Sequence, residues 1–195
     1  MEDLFSQRER ELRRKLVHKY YDIISIENLL TSFQEFLRGK RARKDVILFN
    51  LNLMDNILLL NSELLKKTYQ HGGYSSFKIN DPKPRDIHKA TVRDRVVHHA
   101  IYKILYPYFD KKFIFDSYSC RNNKGTHKTI NRFRSFARKV SCNNTKNVWV
   151  LKCDIKKFFA TIKHGVLKDI LKKHIVDKDI IWLLKQVITS FYSTE

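Results

Sequence analysis

Asp154 is the first residue whose type and position suggest chemistry. It ends an apolar, β-branched run, residues 148–154, which predicts a strand buried on both faces. A buried carboxylate is costly unless it is paired or binds a cation, and Mg²⁺ prefers one or two carboxylates together with phosphate oxygens. The alternative is that Asp154 caps the next turn or pairs with a neighbouring lysine. The segment by itself leaves both interpretations open.

A second group of candidates lies on a proline-containing turn. Residues 80–85 are Asn-Asp-Pro-Lys-Pro-Arg and separate two short apolar segments, which predicts a hairpin. On a rigid tip, Lys83 and Arg85 would hold a triphosphate, the lysine as a point charge and the arginine as a bidentate fork. The alternative is a basic turn that faces only water.

The third signal is an excess of positive charge. The chain has 39 Lys and Arg against 20 Asp and Glu, a formal charge of +19, and residues 117–153 contain nine basic residues and no acidic one. Lys128, Arg132 and Lys139 share one stripe of a predicted helix. Nucleic-acid phosphates are the natural counterpart of such a surface, and binding through it should weaken with salt. A solvated face is the alternative, and no apolar run is long enough to span a membrane.

The sequence lacks the motifs that mark several classes of enzyme. It has no HExxH or Cys/His zinc spacing, no Walker or Rossmann glycine loop and no G-x-S-x-G elbow. Its three cysteines form no CxxC pair, and the N-terminus lacks the pattern of a signal peptide. We therefore expect a reducing, cytoplasmic location.

The elements that must position these residues are mostly helical. Apolar residues at three/four spacing predict helices within residues 26–37, 46–64, 92–107, 130–140, 166–171 and 181–188. Gly39 and the pair Gly72 and Gly73 are expected to end the first two helices, and Thr91 with Asp94 resembles a capping box. The fold class is thus a helix-rich α+β fold. Because one buried strand cannot form a sheet, the segment 148–154 also suggests a truncated chain.

Five segments in fixed order resemble the N-terminal half of bacterial reverse transcriptases, the group II intron-like and diversity-generating retroelement kind. The segments are ISIENLL (24–30), DPKPRDI (81–87), DRVVHHA (94–100), DSYSCR (116–121, followed by Lys124 and Gly125) and KCDIKKFF (152–159). The resemblance covers nearly the whole chain after about residue 22. It implies the fingers of a right-hand polymerase followed by an incomplete palm.

The resemblance also implies roles for individual residues. Asp154 would be the first catalytic aspartate and would ligate Mg²⁺, or Mn²⁺ as an alternative, with the backbone carbonyl of Ile155 as a further ligand. Phe159 would be the steric gate against a ribose 2′-hydroxyl. Two further sets would hold the incoming nucleotide and the nucleic acid. The nucleotide set is Lys83, Arg85, Lys157, Phe158 and Phe159, and the nucleic-acid set is Arg121, Lys124, Gly125, Lys128, Arg132, Arg134, Arg138 and Lys139.

The implied organisation is a basic lead-in (1–24), fingers (25–145) and the beginning of a palm (146–195). The implied partners are an RNA template, a DNA or RNA primer and deoxynucleoside triphosphates, and a second chain that completes the palm is an alternative further partner. The sequence departs from the family in one respect, since it has no adjacent Asp-Asp pair and so no Tyr-x-Asp-Asp segment. We therefore expect this chain alone to be inactive. A non-catalytic RNA-binding module and one half of a split polymerase are the alternatives.

Overall fold

The computed structural model describes residues 15–80 and 83–191, and for residues 159 and 160 it describes only the backbone. Helices dominate this part of the chain. The two strands of that part pair with each other, so the predicted helix-rich α+β class is confirmed. No helix among these residues has the length and apolarity needed to span a bilayer. In chain order the elements are α1 (Tyr20–Ile24), α2 (Ile26–Phe36), α3 (Lys44–Leu51), α4 (Leu53–Leu65), β1 (Tyr74–Ile79), β2 (Arg85–Ala90), α5 (Val92–Asp110), α6 (Thr126–Val140), α7 (Phe158–Thr161), α8 (His164–His174) and α9 (Lys178–Thr189).

The chain divides into two compact units. One is Pro107–Phe158, and the other contains the described residues up to Tyr106 together with those from Phe159 onward. We call the first the α6 unit and the second the hairpin unit. Residues 1–14, most of the predicted lead-in, lie outside the described residues. The functional division into lead-in, fingers and palm stays a prediction.

The apolar core of the hairpin unit forms where α1, α2 and α4 meet. Helix α2 begins at Ser25, whose side chain accepts the backbone N–H of Asn28 at 3.2 Å, as its predicted N-cap should. Its three/four spacing buries Leu29, Phe33 and Phe36 on one face. The hydroxyl of Tyr20 on α1 donates to the carbonyl of Leu64 on α4 at 2.8 Å, which satisfies both polar atoms inside the core.

The predicted hairpin is present. Strands β1 and β2 are antiparallel, with Tyr74 opposite Ala90 at the base and Ile79 opposite Arg85 at the tip. Asp81 and Pro82, two residues of the predicted turn, lie outside the described residues. The register places Arg85 at the first position of β2, with Lys83 in the turn before it.

The predicted capping pair at the start of α5 is the centre of a buried polar cluster. The Thr91 hydroxyl accepts the backbone N–H of Asp94 at 3.2 Å and donates to its carboxylate at 2.6 Å. Asp94 is fully buried and also accepts the Tyr69 hydroxyl at 2.8 Å and the Gly72 backbone N–H at 3.1 Å. A Cβ at Gly72 would lie 2.8 Å from the carboxylate oxygen, so this position requires glycine for close approach.

Two stacked histidines lie beside this cluster. The Nε2 atoms of His71 and His98 are 3.0 Å apart, and the two rings are nearly parallel. One nitrogen must therefore donate and the other accept. Burial, together with the nearby His71, lowers the pKa of His98 to about 4, so His98 is neutral at pH 7. The carboxylate of Asp94 opposes that shift, while His99 and Arg95 add to it.

Two sequence-based predictions were wrong. The helix expected over residues 46–64 is two helices that meet at Asn52, and the second ends at Leu65, well before Gly72. The segment 148–154, expected to be a strand, has no regular secondary structure and no pairing partner among the described residues, with Trp149 fully exposed and Leu151 exposed to 88%. A strand needs a hydrogen-bonding neighbour, and among the described residues β1 and β2 pair only with each other.

The histidine pair predicts acid sensitivity. The pKa of His98 is lower in the folded than in the unfolded chain, so protonation of His98 favours unfolding. Its contribution to the free energy of unfolding is complete above about pH 6.5 and is lost as the pH falls toward 4. We expect the free energy of unfolding to fall by about 1–2 kcal/mol between pH 7 and pH 5 on account of His98, measured by urea denaturation. His98→Gln should reduce that difference, whereas the control His127→Gln, at an exposed position, should not. An equal pH effect in the parent chain and His98→Gln would contradict this assignment.

Candidate nucleic-acid interface

The α6 unit holds about half of the chain's net charge. Pro107–Phe158 contains thirteen Lys and Arg against three Asp, a net charge of +10 out of +19. Cations that are not neutralised within the unit must be screened by salt or by an external anion. The cations without a partner inside the unit are therefore the ones available to bind such an anion.

Two aspartates neutralise two of the arginines. Arg121 pairs with Asp110 at 2.7 Å, and Arg132 pairs with both oxygens of Asp116 at 2.8 and 3.2 Å. The hydrogen bond from Arg132 holds the pKa of Asp116 below its usual value, and the same bond raises the pKa of Arg132. Both charges of this surface pair therefore persist across the neutral range.

Arg121 organises the loop between α5 and α6. Its guanidinium donates to the carboxylate and carbonyl of Asp110 at 2.7 and 2.9 Å, and to the carbonyls of Ile114 and Ser117 at 3.1 Å each. Only 10% of its side chain is exposed. The structure thus shows a loop-stabilising contact for Arg121, while its expected contact with a template stays a prediction.

Lys124, Gly125 and Lys128 lie at the start of α6. The ammonium groups of Lys124 and Lys128 donate to the carbonyls of Phe115 and Asn123, at 2.6 and 2.7 Å. Gly125 is the N-cap of α6 and has a φ of +105°, a conformation that favours glycine. These bonds hold both lysines beside the helix N-terminus.

The remaining cations of α6 are free of carboxylates. In the described part of the chain, Arg134, Arg138 and Lys139 make no ion pair, and α6 has no buried residue. Like-charged neighbours on one exposed helix attract polyanions, because nothing inside the unit cancels their field. This uncompensated group is the strongest electrostatic feature of the predicted nucleic-acid set.

Exposed aromatic rings alternate with these cations, a feature that the sequence-based analysis missed. Phe115 is 69% exposed, and the Lys124 ammonium and Arg132 guanidinium lie 4.1 and 5.3 Å from its ring centre. Arg132 also lies 4.4 Å from the ring centre of Phe136, and Phe133 is 53% exposed. The signal available in the sequence was the regular placing of phenylalanine within an acid-free segment.

The residues expected to hold nucleotide and metal fall in both units. Lys83 and Arg85 are exposed in the hairpin unit, whereas Asp154, Ile155, Lys157 and Phe158 belong to the α6 unit, where all four are also exposed. The side chain of Phe159 lies outside the described residues. The proximity of Asp154 to the hairpin tip stays a prediction.

The described residues do not assemble a metal site. No three His, Cys, Asp or Glu side chains come together there in a way that could hold a metal ion. Asp154 is exposed in an irregular segment, and one carboxylate does not provide the ligand set that a pair of Mg²⁺ ions requires. These residues alone therefore do not fit the two-metal centre that the resemblance implies.

Comparisons with known proteins give three curated relatives, while no protein-family model matches. The chain is 30% identical over 146 residues to the "Putative COX1/OXI3 intron 1 protein" of Saccharomyces cerevisiae, which covers 70% of this chain and 17% of that protein. It is 26% identical over 132 residues to "Protein YkfC" of Escherichia coli, and the match covers 67% of this chain and 34% of that protein. It is 27% identical over 93 residues to "Nuclear intron maturase 1, mitochondrial" of Arabidopsis thaliana, and the match covers 48% of this chain and 12% of that protein.

The chain thus spans between 12 and 34% of the length of these relatives. Two of them are named as an intron protein and an intron maturase, so the chain is similar in part to proteins named for introns. The expected kinship is confirmed at this level.

The four hydrogen bonds from Arg121 to Asp110, Ile114 and Ser117, which we call the Arg121 clamp, predict that a substitution at this position destabilises the loop locally. Arg121→Lys keeps the charge but cannot make four bonds from one planar group. We expect faster amide hydrogen exchange in residues 112–121 and little change in the hairpin unit. Arg134→Lys, which alters an arginine without an ion pair in the described part of the chain, is the matched control. Unchanged exchange in Arg121→Lys would show that the loop does not depend on the clamp.

Proposed function

We propose that this chain is the RNA-binding, fingers-side portion of a reverse-transcriptase-related, maturase-like protein. The observation that carries this proposal is the uncompensated cation group of α6, formed by Arg134, Arg138 and Lys139, in a unit of net charge +10. RNA presents the regularly spaced phosphates that such a group attracts. Kinship with an intron protein and an intron maturase supports RNA as the polyanion.

The exposed rings beside these cations favour unpaired RNA. Bases of a single strand stack on aromatic side chains, whereas a duplex offers mainly its backbone and a shallow minor groove. Phe115 and Phe136 each present a ring next to the Arg132 guanidinium. Phosphate contacts from α6 and base stacking on these rings would act together on one strand.

We further propose that the longer protein is an RNA-directed DNA polymerase. In this proposal Lys83 and Arg85 hold the incoming triphosphate, with help from the backbone amides of Lys157 and Phe158. Asp154 is one of the carboxylates of the metal centre. The order of the five motifs supports these roles. Further carboxylates must then come from residues beyond those that the structure describes, or from a second chain.

The second candidate function is a non-catalytic RNA-binding module. The exposure of Asp154 in an unpaired segment favours it, because nothing in the described residues holds that carboxylate in place. Asp154→Asn in the longer protein distinguishes the two candidates. A module retains all its activity in this variant, whereas a polymerase loses DNA synthesis and keeps RNA binding.

The RNA-binding proposal predicts a steep salt dependence that depends on α6. With a single-stranded uridine homopolymer as probe, Arg134→Glu with Arg138→Glu should weaken binding about tenfold or more. It should also reduce the slope of log K against log salt by about 1.4, because two phosphate contacts are lost. The measurement is fluorescence anisotropy over a range of salt concentrations.

The matched control makes the same charge change at the two ends of α8, at its N-cap Lys163 and at Lys173 in its last turn. Lys163→Glu with Lys173→Glu reverses two exposed lysines in the hairpin unit and should leave most of the affinity and the salt slope intact. Equal losses in the two double variants would mean that total charge, rather than α6, determines binding, and would contradict the proposed surface.

The polymerase proposal predicts that the 195-residue chain alone does not extend a primer. Purified chain with an RNA template, a DNA primer, deoxynucleoside triphosphates and Mg²⁺ should give no product above the protein-free control. Two candidate substitutes are already engaged: Asp177 caps α9 and Asp179 pairs with Lys67. Robust extension that Asp154→Asn abolishes would contradict this expectation and show that other carboxylates complete the centre.

A further inference from the structure

Helix α4 is apolar on two sides, and only one of them is covered. Ile57, Leu60 and Leu64 are fully buried in the core of the hairpin unit. On the other side Met54, Leu58, Leu59 and Leu65 are exposed to 52, 47, 60 and 49%. A helix that is hydrophobic all round is normally buried all round. The spacing of four and then seven residues places Met54, Leu58 and Leu65 on one stripe, about 16 Å long, and Leu59 lies to one side of it.

The charge around this stripe argues against nucleic acid as its partner. Helix α4 contains Asp55 and Glu63 and no lysine or arginine, in a chain whose net charge is +19. Glu63 is already paired with Arg93. Lys66 follows the helix directly, but one lysine beside an apolar stripe does not provide the set of cations that a run of phosphates needs. A polypeptide is therefore the occupant that the chemistry of the stripe fits.

We propose that the occupant is a second copy of this chain, whose α4 packs antiparallel to the first about a two-fold axis near Leu60. In such a pair every contact occurs twice. Met54 of one helix meets Leu65 of the other. Leu58 of each lies beside Ser62 of the other, where a small side chain leaves room for it.

Charge complementarity supports this arrangement over an unrelated partner. Asp55 and Lys66 are exposed at opposite ends of α4 and on the same flank of the stripe, and neither makes an ion pair within the described part of the chain. An antiparallel two-fold pair brings Asp55 of one copy next to Lys66 of the other, twice. The acidic helix also lets two strongly cationic chains approach where their repulsion is least. This inference does not depend on the proposed function.

The test is the mass of the full chain in solution by sedimentation equilibrium at moderate ionic strength. We expect a reversible monomer–dimer equilibrium. Leu58→Arg should raise the dimer dissociation constant about tenfold or more, because it places a charge in the apolar contact. Ile170→Arg is the matched control, since Ile170 on α8 has the same exposed fraction, 47%, outside the proposed interface. Circular dichroism verifies that each variant is folded.

A charge exchange tests the register of the pair. Asp55→Lys and Lys66→Asp should each weaken the dimer, and the double variant should restore it to near the parental dissociation constant, since the two charges are then exchanged. A parent chain that stays monomeric over the whole concentration range would overturn the proposal. So would equal effects of Leu58→Arg and Ile170→Arg, or a double variant no tighter than either single one.

Discussion

Repulsion among the cations of the α6 unit is the constraint on which the rest of the molecule depends. Thirteen basic residues share Pro107–Phe158 with three aspartates, and two of those aspartates are paired with Arg121 and Arg132. The arginines and lysine that remain along α6 repel one another, and the energy of that repulsion falls when a polyanion binds. The same feature that opposes compaction of the free unit thus favours binding of a polyanion, which we propose to be RNA.

The hairpin unit pairs several of its carboxylates internally. Asp45 pairs with both Lys89 and Arg95, Glu63 pairs with Arg93, and the buried Asp94 receives three hydrogen bonds from side chains and backbone. A buried carboxylate with its hydrogen-bonding capacity filled fixes the loop before β1 against the start of α5. The unit therefore provides a well-packed base for the hairpin that carries Lys83 and Arg85.

Features set by neighbouring residues were predictable from the sequence, and features set by distant contacts were not. The N-cap at Ser25, the hairpin and the bonded pair Thr91 and Asp94 depend on a few residues in a row. The strand over residues 148–154 depends on a partner strand, which the described residues lack. In the candidate interface, composition revealed the cations but not which of them have partners. Only the structure distinguishes Arg121, whose guanidinium makes four hydrogen bonds, from Arg134 and Arg138, which have no carboxylate partner in the described part of the chain.

The most direct test of RNA binding by α6 is amide hydrogen exchange of the full chain with and without a single-stranded uridine homopolymer. The account predicts that protection on binding concentrates in α6, Thr126–Val140, and in the loop that precedes it. Helix α8, His164–His174, is also basic and serves as the internal comparison. Protection confined to α8, with exchange in α6 unchanged, would contradict the central claim.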